Sequence, residues 1–204
     1  MNCQFKLNFR RVWQVSLAVA MLMFIIGMAT DDTDVRRYAA EMERLMAKGE
    51  YQKALEVGDK SDKTDRRLLH LRIEALAHEH QLGERLFAYP IVGQGSDLVK
   101  KGGDYALCGY LIDKQLDRFV ELLPKYYKVD GELPRYYREA LIQYNHVRSH
   151  PRITFHDSVL ETDYQDMQQL EQQHKDNTAR QMAVFNQYED TYWYYYGYLN
   201  AKAR

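Results

Sequence analysis

Little in this sequence punctuates a β-sheet protein. Its 204 residues hold four prolines and eleven glycines, and alternating runs of β-branched residues are few, which argues against a many-stranded sandwich or barrel with turns at close intervals. Cysteine is scarcer still. Cys3 and Cys108 are the two present, and an apolar segment separates them, so neither an internal disulfide framework nor a cysteine-based zinc site is available. Cys108, next to Leu107 and three residues before Leu111, reads as a small apolar core residue. Positive charge is also short. Three of the 28 lysines and arginines fall in residues 1–30, which leaves 25 against 29 acidic residues beyond Thr30 and a net charge of −4. That sign is a poor counter-charge for phosphate, so nucleic acid is not an expected partner.

Motifs with a defined chemistry are missing as well. No glycine-rich phosphate loop follows a strand pattern and no Gly-x-Ser-x-Gly elbow occurs. Gly93-Gln94-Gly95 and Gly102-Gly103 read as a mobile loop around Ser96 and Asp97. The seven histidines contain no His-Glu-x-x-His, and Glu74 with His78, or His146 with His150, supply two ligands each where a catalytic ion needs at least three. No catalytic residue, cofactor or metal ligand is therefore assigned.

What is present is apolar residue content, 46% of the chain, enough for one core. Val12 to Ala29, VWQVSLAVAMLMFIIGMA, is 18 residues without a charge, preceded by Lys6, Arg10 and Arg11 and followed by Asp31, Asp32 and Asp34. The flanking charge predicts a cytoplasmic N-terminus, with residues 31–204 on the exported, periplasmic or extracellular, side. Gly27-Met28-Ala29 also suits a signal peptidase, so the segment reads as a retained anchor or a cleaved leader.

Beyond it the apolar spacing is helical. Tyr38, Met42, Leu45 and Met46, then Phe119, Leu122, Leu123 and Tyr126, then Tyr137, Ala140, Leu141 and Tyr144 each form one stripe, with Pro134 at a helix start. Steps of 34 residues align Gly49 with Gly83, Tyr51 with Arg85 and Phe119, and Ala54 with Ala88 and Leu122. KGEYQKAL and this period resemble the tetratricopeptide repeat, a helix-turn-helix unit whose copies stack because one hairpin cannot bury its apolar face alone. The expected fold is all-α: an N-terminal membrane or signal helix (1–30), a tetratricopeptide-like hairpin stack (31–128) and a helical extension (129–204).

The resemblance implies a concave surface lined by the first helix of each hairpin: Arg36 and Glu43, then His70, Ile73 and His80, then Asp104, Leu107 and Lys114. Such a mixture suits a peptide or protein tail. Residues 161–181 carry one narrow apolar line, Tyr164, Met167 and Leu170, as a peripheral helix would. Near the end TYWYYYGYL places six rings in seven positions, more than one helix face can bury. Tyr192 and Tyr195 fall on one seam with Phe185, Tyr188 and Leu199. Trp193 and Tyr196 form a second line, free for packing, a partner or lipid headgroups. Together with LPRYYREALIQY this run resembles the tail of uncharacterised bacterial envelope proteins in which membrane spans precede a helical-repeat domain. The expected function is a non-enzymatic protein-interaction or assembly module on the exported side of a membrane. An envelope enzyme of metal-dependent hydrolase type, using histidines and carboxylates in a helical cleft, is the alternative.

Overall fold

A computed structural model describes residues 9–129 and 132–199; within its first helix the side chains of residues 9–12, 22 and 24–32 lie outside the described set. Every regular element among the described residues is helical. The first, α1 (Phe9–Met46), runs 38 residues, about 57 Å at 1.5 Å per residue. Its second half buries Val35, Ala39, Met42 and Leu45 in the core, whereas Trp13, Val15, Leu17, Val19, Met21 and Met23 are all at least 49% exposed. Among the described residues no helix is long and apolar enough to cross a membrane. The anchor or leader expected at residues 12–29 falls partly outside that set.

Three helical hairpins follow one another: α1 with α2 (Tyr51–Glu56), α3 (Arg66–His78) with α4 (Leu82–Arg85), and, after the short α5 (Ser96–Val99), α6 (Gly103–Ile112) with α7 (Leu116–Leu122). All three turn in the same way. A backbone amide reaches five residues back, Glu50 to Leu45 (3.0 Å), Gln81 to Leu76 (2.8 Å) and Gln115 to Tyr110 (2.8 Å). The residue before that amide is left-handed: Gly49 at φ 75°, His80 at φ 55°, Lys114 at φ 56°. This is the Schellman closure, which satisfies carbonyls at a helix C-terminus.

The turns lie 31 and then 34 residues apart; the aligned register would put them at 49, 83 and 117, so the second and third turns both fall three residues ahead of it. Gly83, aligned with the turn glycine Gly49, is instead the second residue of α4 and packs against α8 (Arg135–Val147). A Cβ there would stand 2.8 Å from the side chains of both Pro134 and Tyr137.

The glycine-rich stretch is not a free loop either. Gly95 and Gly109 bring α5 and α6 together backbone to backbone, and a Cβ on Gly95 would sit 1.9 Å from the Gly109 carbonyl oxygen. The connection before α3 is tied by Arg72, a wholly buried side chain that donates to the Gly58 carbonyl at 2.9 Å and lies 4.7 Å from the centre of the Tyr89 ring.

Beyond α8 come α9 (Ser158–Gln173), α10 (Asn177–Tyr188) and α11 (Tyr192–Tyr198). Side-chain caps start these later helices and α3: Asp65 accepts from Leu68 N, Asp157 from Val159 N and Leu160 N, Asp176 from Ala179 N, and Thr191 from Tyr194 N. The main core spans the second half of α1 to α8 and takes Tyr192 and Tyr195 from α11. A smaller one joins Ile142 of α8, Tyr164 and Met167 of α9, Val184 of α10, and Trp193 and Tyr194 of α11. Tyr164 and Met167 are two of the three residues of the narrow line expected for a peripheral helix.

Two substitutions test these turns and contacts in urea unfolding. His80→Gly removes the cost of a left-handed non-glycine and is expected to stabilise the chain by about 0.5–1 kcal/mol. Gly95→Ala forces α5 off α6 and is expected to cost at least about 1–3 kcal/mol.

Candidate functional site

Of the positions expected on a concave surface, two share a groove. His70 and Ile73, one turn apart on α3, line an open groove of about 320 Å³ with Val92, Ser96, Asp97 and Ile112. Ile73 is 4% exposed and forms floor, whereas the His70 side chain is 58% exposed and stands 3.8 Å from Glu74. Glu74 also binds Lys101 and accepts from the Tyr105 hydroxyl at 3.0 Å, so α3 and α6 are bridged beside the groove. Burial raises the Glu74 carboxyl, and its hydrogen bonds from Lys101 and Tyr105 more than offset that, leaving its pKa below the ordinary range. The result is an apolar floor with a polar rim.

The remaining positions scatter. Arg36 is exposed on α1. Glu43 is held by Arg67 of α3 in a two-pronged pair at 2.7 Å, and His80 occupies its hairpin turn. Leu107 is fully buried and therefore a core residue, not a lining one. Asp104 is turned to α8 and its neighbours, accepting from Tyr127 at 2.8 Å and Tyr137 at 3.0 Å. Beside it Cys108 is fully buried, and burial pushes its thiol up to about 12. It stays protonated, as its apolar setting in the sequence suggested.

Lys114 and Tyr196, expected on separate surfaces, meet. The Lys114 ammonium donates to the carbonyls of Tyr196 (2.8 Å) and Leu199 (2.5 Å) and lies 5.6 Å from the Tyr195 ring centre. A cation thus sits at the C-terminal, negative end of α11. Trp193, offered as a partner-binding ring, is 3% exposed, and its indole donates to the Glu139 carbonyl at 2.8 Å. One helix face cannot bury the aromatic run; α11 is wedged between two cores and uses opposite faces. Tyr192 and Tyr195 enter the first, with hydroxyls donating to Leu111 O (3.2 Å) and Ile112 O (2.7 Å), and Trp193 and Tyr194 enter the second.

Glu139 fastens this wedge. It is 2% exposed, accepts from Arg135 Nε at 2.7 Å and from the Tyr192 amide at 2.6 Å. Burial raises its carboxyl to about 7 against the pull of Arg135 and Tyr192. Burial works against the Arg135 guanidinium, yet Asp190 and Glu139 together raise its pKa. The carboxylate is sealed behind α11 and serves as an anchor.

Among the described residues no group of three or more histidine, cysteine, aspartate or glutamate side chains could hold a metal ion. His78 stacks on Tyr51 at 4.0 Å, and His150 lies beyond the end of α8. A larger open cleft of about 1130 Å³ runs along Arg138 of α8 and residues 152–157. None of the expected site residues lies in it. The signal that could have found it is the period-two run PRITFHD, residues 151–157, in a chain whose other apolar residues repeat at helical intervals.

A family of unknown function, DUF6057, matches residues 100–199, a span that runs from the foot of α6 to the end of α11 and so includes the cleft and the aromatic wedge. No curated protein and no solved structure matches the chain.

Glu139 sets a measurable pH dependence. An unfolded carboxyl loses its proton near 4.5 and this one near 7, so the folded chain binds more protons in that window, and stability falls as pH rises through it by an amount on the order of 3 kcal/mol. Urea midpoints of Glu139→Gln, which keeps an acceptor for the Tyr192 amide, should not show that fall. Parallel curves for the two proteins between pH 5 and 8 would refute the assignment.

Proposed function

We propose that this protein is a non-enzymatic protein-interaction or assembly module, a short stack of tetratricopeptide-like hairpins held at a membrane through residues 12–29, with residues 31–204 on the exported side. The observation that carries the binding role is the α3–α5 groove, where His70 and Ile73 line an open depression with an apolar floor and a polar rim. A peptide side chain can enter such a depression and a backbone can hydrogen-bond along its edge. The like-shaped hairpin turns support the repeat reading, because they give successive helix pairs a common way of reversing direction.

Membrane attachment rests on the uncharged residues 12–29 and the basic residues before them. The apolar side chains of α1 that are described between Trp13 and Met23 are exposed, consistent with a surface that lipid or another helix covers. A retained segment should bring the chain down with membranes at its full calculated mass, and a cleaved one should release a product lacking about thirty residues, within the length range of secretory leaders.

The groove is tested by a photo-crosslinking side chain in place of Asp97, which is 88% exposed, in native membranes. One dominant protein adduct is expected, and Ser96→Trp, which fills the groove, should reduce it roughly tenfold, the effect of losing about 1.4 kcal/mol of binding. An adduct that Ser96→Trp leaves unchanged would remove the groove from the proposal.

A further inference from the structure

The first helix is bare at one end and buried at the other. From Trp13 to Met23 its described apolar side chains are exposed, and from Val35 onward it is built into the core, yet α1 runs unbroken from Phe9 to Met46. No linker separates the two halves. At 1.5 Å per residue, Asp34 stands about 7.5 Å and Tyr38 about 13.5 Å along the axis from Ala29, the last residue of the uncharged segment. A tilt of about 20° shortens these heights by less than about a tenth. A headgroup layer is roughly 5–8 Å deep on each side of a bilayer. A body that begins at Val35 on an unbroken helix is therefore held against any bilayer that seats residues 12–29.

The connection 57–65 is tied to this stretch of α1. A Cβ on Gly58 would stand 2.9 Å from the Tyr38 ring, and the Lys63 ammonium lies 3.6 Å from Asp34, so the connection spans from the level of Tyr38 to that of Asp34. Between these two ties Asp59, Lys60 and Asp62 are exposed. Asp34 is committed to Lys63 and to Arg37 at 3.2 Å. Arg36 is exposed and makes no hydrogen bond or ion pair among the described residues. Helix side chains lean toward the N-terminus, and on α1 that direction is the apolar segment.

We propose that Arg36 and the connection 57–65 form a seat for the body on phospholipid headgroups: Arg36 and Lys60 donate to phosphates, while Asp59 and Asp62 accept from headgroup ammonium groups. This seat presupposes the membrane attachment of residues 12–29 and adds to it which surface of the body meets the lipid. A headgroup with both charges fits a surface with both, and long basic side chains reach phosphate while their stems stay on the protein. Arg36, expected on a concave surface, then belongs to the lipid-facing end of the stack.

The test uses the full chain with Cys3→Ser in vesicles of phosphatidylethanolamine and phosphatidylcholine; Cys108 is fully buried and stays unlabelled. A fluorophore carried by Asp62→Cys is expected to lose most of its emission to lipids with a nitroxide on the headgroup. One carried by Lys48→Cys, exposed just past the far end of α1, should keep its emission. A flexible glycine and serine insert after Asp32 should restore the Asp62→Cys signal. Native mass spectrometry of protein released from these vesicles should show bound phospholipid, roughly tenfold less of it when Arg36→Glu and Lys60→Glu are combined. A chain that does not float with the vesicles removes the membrane attachment and the seat together. A chain that floats while the two labels respond alike, or whose bound phospholipid is unchanged by the double substitution, overturns the seat alone.

Discussion

The structure depends on the middle of α8 being enclosed on all sides. Six consecutive residues, Glu139 to Tyr144, are buried, and a helix can be covered through more than a full turn only if elements pack on every face of it. The hairpins supply one side, α9 another, and α11 closes what remains. Enclosure creates an obligation as well as a core. Glu139 and Gln143 are drawn inside with the apolar residues, and a buried carboxylate is tolerable only when it is paired or protonated. Arg135 and the first amide of α11 meet that obligation, so the polar contact that satisfies α8 is also the one that sets where the aromatic helix begins.

The same logic distributes the polar side chains elsewhere. Lys114 closes the end of α11, Asp104 ties α6 to Tyr127 and to Tyr137 of α8, Arg67 joins α3 to α1, and Arg72 holds the connection at Gly58. These residues have the types that catalysis and binding use, yet they are spent on joining helices. The open depressions lie elsewhere, one beside His70 and Asp97 and one along Arg138 and residues 152–157.

Much of the fold is legible in the residues. Helical intervals mark the stripes of α1 and α8 and the Phe119 end of α7, whose expected Tyr126 lies beyond the helix and is exposed; Cys108 reads as the core residue it is, and the single line at Tyr164 and Met167 marks a peripheral helix. The hairpin register was harder, because glycine was read as the turn signal. His80 and Lys114 adopt left-handed backbone that glycine takes more cheaply, while Gly83 and Gly95 are small for the sake of close approach and not for turning. Period and composition cannot separate those two uses of glycine. The aromatic run posed a different problem: spacing shows how rings distribute around α11, but not that neighbours cover two opposite faces. Leu107, expected on a concave surface, and Trp193, expected on a partner-binding line, lie inside. The cleft along residues 152–157 was missed because its walls come from separate segments, residues 129–138 and 152–157, that no spacing in the sequence brings together.

The hydroxyls of Tyr192 and Tyr195 end on the last carbonyls of α6, some eighty residues earlier in the chain. During synthesis the main core therefore stays unfinished, with those carbonyls and the apolar wall of α8 uncovered, until Tyr195 has left the ribosome. A nascent chain stalled before Thr191 therefore presents an open seam to chaperones and proteases, one that α11 covers once it is made.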